Sequence, residues 1–256
     1  MPKFYVGIDI GGTKIQGVVW DGKRSVKELT VVTPGNAESF KRSVLKLVDF
    51  LSAGFKISGV GLGMAGFIDS KKGVALASPN IRYVKNLPLV QLVREHGYNN
   101  VALDNDASCF LRAETEVGKA KKFRDVFGLI AGTGVGGAMK LGGRLYRGAD
   151  NAGGEIGQWL IGGERLEKSY QAAKQRKDFK KLSEIFGAAL ANAINLLSPE
   201  CIVVGGTFGQ LYHSRFLEPA LRLARKHAPV SRKMPKLMTS TIKAAGAIGA
   251  ALLVAD

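Results

Sequence analysis

Two loops of one kind constrain this chain more than any other feature. Gly11-Gly12-Thr13 follows the apolar run Phe4 to Ile10 and leads into the alternating stretch Ile15 to Trp20. Gly132-Thr133-Gly134 follows Val126 to Ala131 and leads into Ala138 to Leu141. In each, glycine permits a tight strand-to-strand turn, and exposed backbone N–H groups there can converge on an anion. Thr13 and Thr133 add hydroxyl donors. One glycine hairpin reads as a turn and no more. The same threonine-bearing hairpin in both halves reads as a paired phosphate device, with two facing loops holding a triphosphate from either side.

The surroundings of the loops repeat as well. In the first half, Ser25 to Thr33 reads as a third strand, and Asn36 can cap a helix with Phe40, Val44, Leu47, Val48 and Leu51 on one face. Gly59 to Met64 reads as a short strand, Asn86-Leu87-Pro88 as the start of a helix, Val101 to Asp104 as a strand, and Asp106 onward as a helix. In the second half, Gly142-Gly143 turns the chain back to Leu145, and Phe179 to Leu197 is a long amphipathic helix. Cys201 to Val204 is a strand ending at Gly205-Gly206, and a strand near Met238 and a small-residue helix from Ala244 close the chain. There is no short-period repeat. The pattern predicts two related α/β halves around a cleft, a layout that places ligands at the seam.

Other classes are excluded in turn. Gly132, Gly134 and Gly137 fit G-x-G-x-x-G, as do Gly61, Gly63 and Gly66. A dinucleotide fingerprint must open a helix, and both of these loops are read as leading into strand-like sequence. No glycine-lysine is followed by Ser or Thr as a Walker A loop requires. Cys109 and Cys201 stand far apart, which gives neither a disulfide framework nor a zinc cluster and fits a reducing cytoplasm. No apolar run is long enough for a bilayer, and the opening of the chain runs straight into strand-like sequence, so no signal peptide is expected. The net charge of +16 pulls toward nucleic acid. Its basic residues Lys174, Arg176, Lys177, Lys180, Lys181, Arg222, Arg225, Lys226, Arg232 and Lys233 are read instead as solvated helix faces. Nucleic acid is not the expected partner.

Five segments in order then resemble the ROK family of repressors and sugar kinases: Asp9-Ile10-Gly11-Gly12-Thr13-Lys14, Asn105-Asp106-Ala107, Gly132-Thr133-Gly134-Val135-Gly136-Gly137, Gly153-Gly154-Glu155-Ile156-Gly157 and Val204-Gly205-Gly206. The resemblance spans essentially the whole chain. It implies the actin-like ATPase (ribonuclease H-like) α/β fold. One domain, residues 1–118 with 244–256, would carry the first phosphate loop and Asp106. The other, residues 119–243, would carry the second loop and the adenosine motif. It also implies ATP with Mg2+, a hexose accepting phosphate at a hydroxyl (the 6-hydroxyl, as in glucokinases), and a homodimer. ATP phosphates would lie between Gly11, Gly12 and Thr13 on one side and Gly132, Thr133 and Gly134 on the other. Lys14 would face phosphate or solvent, Gly205 and Gly206 would border adenosine, and Asp9 would approach magnesium through water. Gly66, Asn80, Asn105, Asp106, Glu155, Gln158 and Glu167 would touch the sugar.

The chain departs from the family pattern in three places. Gln158 stands where the family has His, and the stretch to Glu167 lacks the cysteines that bind zinc with it, so no zinc site is expected. Ala65 stands where the family has Pro before the glycine near the sugar. The segment between Gln158 and Phe179 is short. Asp106 is the candidate general base, because a sugar hydroxyl must lose its proton to attack phosphorus; its competing role is helix N-cap. Asp104 is read as structural. Glu155 sits in a glycine-rich loop with no helix to decorate, and Glu167 opens a helix whose dipole suits an acid. The alternatives are a degenerate sugar- or nucleotide-binding protein, motivated by Gln158, and a sugar-sensing regulator, which would need a DNA-binding module ahead of the first strand.

Overall fold

The first glycine turn folds the chain into an antiparallel ribbon of β1 (Phe4–Ile10), β2 (Lys14–Trp20) and β3 (Ser25–Val32). The computed structural model describes residues 3–228 and 233–255. Asn36 caps α1 (Ala37–Ser52), its side chain accepting from the Ser39 N–H, which satisfies one of the helix's orphan donors. The buried residues of α1 are the five of the sequence pattern. Gly17 on β2 admits that face, since a Cβ there would stand 2.5 Å from Leu51 Cδ1.

Next, β4 (Ile57–Met64) pairs parallel to β1. A small antiparallel sheet of β5 (Phe67–Asp69), β6 (Val74–Ala77) and β7 (Lys85–Leu87) follows, then α2 (Leu89–Glu95). Finally β8 (Val101–Asn105) pairs parallel to β4, and α3 (Asp106–Glu116) leaves its end. Asn86 and Leu87 thus belong to a strand and not to the start of α2. Pairing of Leu87 with Ala75 captures them, and Pro88 stands just before the helix.

The second half opens on β9 (Val126–Ala131), β10 (Val135–Leu141) and β11 (Arg144–Tyr146). A 3₁₀ turn at Ile156–Gln158 precedes a two-strand ribbon of β12 (Leu160–Ile161) and β13 (Glu164–Arg165). Then come α4 (Leu166–Gln175), α5 (Phe179–Leu197), β14 (Cys201–Gly205), α6 (Thr207–Arg225), β15 (Lys236–Thr239) and α7 (Ala245–Ala251). The two main sheets share one topology, β3-β2-β1-β4-β8 and β11-β10-β9-β14-β15. In both, an antiparallel ribbon of three strands is extended by two parallel ones.

The chain divides into two units. The first is Met1–Ala113 with Gly148–Ala152 and Ile242–Asp256, and the second is Glu114–Arg147 with Gly153–Thr241. Each has its own core: Val6, Ile8, Phe40, Val44, Leu62 and Leu103 among others in the first, and Phe127, Leu129, Tyr170, Phe186, Ile202 and Phe216 among others in the second.

Gly61 and Gly63 form no loop. They lie inside β4: Gly61 receives α7 directly on the sheet, where a Cβ would stand 1.7 Å from the Ala250 carbonyl oxygen, and Gly63 receives Cys109 of α3, whose Sγ would lie 3.0 Å from a Cβ there. Glycine here serves the packing of a helix on a sheet, a use separate from turns and ligands. The basic residues Arg176, Lys177, Lys180, Lys181, Arg222, Arg225, Lys226 and Lys233 are exposed, as solvated faces should be. Lys174 is an exception, drawn inward as described below, and Arg232 lies outside the described residues. No helix among the described residues is long and apolar enough to cross a membrane.

Candidate active site

In the first unit the parallel strands end side by side, with Asp9 of β1 in register with Gly63 of β4, and Gly63 with Asp104 of β8. Asp106 is the first residue past β8. Its carboxyl is pushed up from 3.8 to about 6, by burial above all, against the opposing hydrogen bonds of the Ala107 N–H and its own N–H. Asp9 rises to about 7, through burial first and the charge of Asp106 second, with Lys14 pulling the other way. Among the described residues nothing donates a hydrogen bond to the Asp9 carboxylate. Gly246, at the start of α7, is glycine because a Cβ there would stand 2.4 Å from Asp9 Oδ2.

Asn105 caps the helix that begins at Asp106. Its Oδ1 accepts from the Ala107 N–H at 2.9 Å and the Ser108 N–H at 3.3 Å, which is how an N-cap binds a helix. Its Nδ2 donates to the Gly66 carbonyl at 3.1 Å. Asp106 accepts from Ala107 N–H at 2.9 Å, a donor that Asn105 already serves, and from its own N–H. Gly66 has φ 124°, and a Cβ there would stand 2.3 Å from the Ala77 carbonyl oxygen. Asn105 therefore ties the end of β8 to the turn after β4.

The first glycine loop is held from one side. Thr33 Oγ1 donates to the Gly11 carbonyl at 2.7 Å, and the Thr33 N–H donates to the Thr13 carbonyl at 3.1 Å. The Gly11 N–H donates across the loop to the Lys14 carbonyl. The N–H groups of Gly12 and Thr13 have no acceptor among the described residues. Gly12 also packs on Asn80, whose Cβ would lie 2.6 Å from a Cβ at Gly12. Lys14 is exposed.

The second unit holds its loop with one helix face. Tyr170 Oη donates to the Gly132 carbonyl at 2.8 Å, and Lys174 Nζ to the same oxygen at 2.6 Å. Gln171 Nε2 donates to the Thr133 carbonyl, which Lys174 Nζ also reaches at 3.3 Å. Glu167 Oε2 accepts from the Val135 N–H at 2.6 Å. These four residues are spaced i, i+3, i+4 and i+7, one stripe of α4. Burial lowers the affinity of Lys174 for its proton, while Glu167 raises it. The β14–α6 turn closes on the same loop: Gly206 has φ 77°, and a Cβ there would stand 2.5 Å from the Ala131 carbonyl oxygen. Beside it lies a cavity of about 440 Å³ lined by Gln171, Lys174, Gln175, Lys177, Phe208 and Tyr212. Glu155 precedes the 3₁₀ turn, and Gly154 and Gly157 lay that segment against β10, where their Cβ atoms would meet the Gly137 and Val135 carbonyl oxygens at 2.5 Å and 2.7 Å. Gln158 is exposed and accepts from Arg165 Nη1 at 3.4 Å.

Asp9, Gly66, Asn80, Asn105, Asp106 and the loop from Gly11 to Lys14 thus belong to the first unit. Glu155, Gln158, Glu167, Gly205, Gly206 and the loop from Gly132 to Gly134 belong to the second. Sequence reasoning missed Thr33, Tyr170 and Gln171, and it read Lys174 as solvated. The polar stripe on α4 is visible in the sequence, but nothing there names the loop it meets.

A family model for the ROK family matches residues 5–166. An N-acetyl-D-glucosamine kinase of Mannheimia succiniciproducens is 29% identical over 303 aligned positions, covering 96% of this chain and 98% of that protein. The ROK hexokinase of Thermus thermophilus superposes with a TM-score of 0.78 at 28% identity, covering 98% of this chain and 97% of that one. A ROK family glucokinase of Streptomyces griseus, solved with glucose and AMPPNP, superposes with a TM-score of 0.83 at 24% identity, over 98% and 99% of the two chains. The fold is that of the actin-like ATPases, in the form that ROK sugar kinases take. The chain belongs to the ROK family.

Proposed function

We propose that this chain is an ATP-dependent kinase that phosphorylates a hydroxyl of a hexose or N-acetylhexosamine, with Asp106 as general base. Relatives matched along nearly their whole length are sugar kinases, which supports the reaction class. The observation that carries the base assignment is local. Asp106 stands at the carboxyl end of β8 with its pKa raised to about 6, and Asn105 performs the capping that would otherwise explain it. A base poised near neutrality is mostly ionised at the working pH yet still able to take a proton.

The sugar hydroxyl donates its proton to an Asp106 carboxylate oxygen as its own oxygen attacks the terminal phosphorus of ATP. The bond from that phosphorus to the bridging oxygen breaks, and ADP leaves with the electron pair. The N–H pairs at Gly12–Thr13 and at Thr133–Gly134 suit phosphate oxygens. Gly205 and Gly206, at the end of β14 where Gly206 meets the second loop, suit adenosine. Gly66, Asn80, Glu155, Gln158 and Glu167 are the residues for the sugar, with Asn105 acting through its hold on Gly66.

Magnesium fits the first unit. A buried carboxylate without a donor, raised by a second carboxylate, is a place where positive charge is missing. Mg2+ keeps several waters and takes one or two carboxylates, and Asp9 would be the carboxylate that holds it. When bound, it would neutralise charge on the phosphates. No described group of three or more His, Cys, Asp or Glu residues is placed to hold a metal ion, and Gln158 has no thiolate beside it in sequence.

The test is a coupled ADP-release assay with ATP and magnesium across glucose, mannose, N-acetylglucosamine and N-acetylmannosamine. Turnover with one sugar and its loss in Asp106→Asn are expected. Turnover retained by that variant removes Asp106 as the base. Binding of sugar or ATP without any turnover favours the degenerate binder.

A further inference from the structure

We propose that α4 sets the aim of the second phosphate loop, with Tyr170, Gln171 and Lys174 as positioning residues for the terminal phosphates of the nucleotide. The argument rests on peptide geometry. In a trans peptide, the carbonyl of one residue and the N–H of the next point in opposite directions. Tyr170 and Lys174 draw the Gly132 carbonyl toward α4, and Gln171 and Lys174 draw the Thr133 carbonyl the same way. The N–H groups of Thr133 and Gly134 therefore point away from α4.

The other two N–H groups of the loop are occupied. Gly132 N–H donates to the Gly134 carbonyl at 2.9 Å, and Val135 N–H donates to Glu167. What remains is a pair of consecutive N–H groups, directed alike, on residues that are exposed or partly exposed. Successive N–H groups aimed at one point make an anion-binding concavity. A flexible glycine loop would otherwise sample orientations in which a carbonyl faced the phosphate and repelled it. The clamp removes those orientations before the nucleotide arrives, so less ordering is left for binding.

Tyr170 is the discriminating residue. It is fully buried behind the loop, carries no charge, and touches Gly132 through one hydroxyl. Its ring packs edge-on against Phe186 and Phe208, a contact that phenylalanine keeps. Lys174 is less clean, because it also lines the cavity and lies 5.7 Å from the Phe208 ring centroid.

The experiment measures ATP, ADP and adenosine affinities by calorimetry for the wild type, Tyr170→Phe, Lys174→Met and the double variant. Each lost bond should raise the ATP Kd by roughly two- to tenfold. Adenosine, which lacks phosphates, should bind unchanged, and ADP should fall between them. Lys174→Arg should restore part of the loss. Equal weakening of ATP and adenosine overturns the proposal, because α4 would then shape only the cavity. Unchanged ATP binding in the double variant overturns it too. The proposal relies on the nucleotide reading above, so the wild type tests that reading first. Should the wild type bind no nucleotide, inorganic triphosphate is titrated while the Thr133 and Gly134 amide resonances are followed. Shifts present in the wild type and lost in the double variant sustain the clamp, and their absence from the wild type rejects it.

Discussion

The carboxylate of Asp106 raises the proton affinity of Asp9, and Asp9 becomes the weaker acid of the pair, at about 7 against about 6. Both values exceed the ordinary 3.8, so the folded chain binds more protons than the unfolded one between about pH 4 and pH 7. Stability contributed this way is present at low pH and lost as pH rises through the folded values. Melting of the ligand-free protein should therefore shift to higher temperature as pH falls from about 8 to about 5. Asp9→Asn should raise the melting temperature at the upper end and flatten the profile. Asp21, Asp69 and Glu164 are shifted down by hydrogen bonds and so contribute with the opposite sign, toward the acid end. A wild-type profile without slope would contradict the pairing.

Magnesium should act on the same pair. At pH near 8 the divalent ion should raise the melting temperature of the wild type and leave Asp9→Asn unmoved. Equal stabilisation of both by magnesium would place the ion elsewhere.

The rate should follow Asp106. Below about pH 6, kcat/KM for the sugar should fall roughly tenfold per pH unit as the base is protonated. Asp106→Asn should lose about 10² to 10⁴ in kcat while sugar affinity by calorimetry holds. A sloping pH limb that persists in that variant would assign the titration to another group.

Capping and catalysis should separate by mutation. Asn105→Ala removes two helix donors' acceptor and the tie to Gly66, and should cost about 1 kcal/mol of stability as well as activity. Asp106→Asn should cost activity without that loss of stability. Chemical denaturation of the two variants side by side reads the difference. A larger loss for Asp106→Asn would return the cap to Asp106.

Glycines should divide by what they face. Gly206→Ala combines φ 77° with a Cβ 2.5 Å from a backbone oxygen. It should cost at least about 1–2 kcal/mol from the left-handed backbone alone and weaken ATP. Gly61→Ala would press on α7 at 1.7 Å and should unfold the first unit or displace that helix. Gly35→Ala meets nothing within 4 Å and should be silent. Thermal melts of the three variants order them, and a stable Gly61→Ala would contradict the direct seating of α7 on β4.

Much of this was legible in the chain because its causes are local. Asn36 caps α1 through a side chain three residues from its donor, and the helix face from Phe40 to Leu51 follows from a 3.6-residue period. The strands Phe4–Ile10 and Val126–Ala131 follow from largely apolar runs, and the turn at Gly142-Gly143, with φ 58° and 86°, follows from the freedom of that residue. The ordered motifs carried the family, and Asp106 was legible as an ionisable residue at a strand's end.

Tertiary structure alone decided what depended on partners distant in sequence. Gly61 and Gly63 match a loop motif by spacing although their segment reads as strand; only the fold shows what their missing side chains admit, α7 at Gly61 and Cys109 of α3 at Gly63. In sequence the cap role falls to Asp106; only the fold shows that Asn105 accepts from both the Ala107 and Ser108 N–H groups. Lys174 has the composition of a solvated lysine, and it becomes a clamp because a carbonyl 42 residues earlier in the chain lies within reach. Local propensity is a property of neighbours in sequence, whereas the aim of a peptide group is set by whatever binds its other face. For the loops at Gly12 and Thr133, those partners are Thr33 and α4.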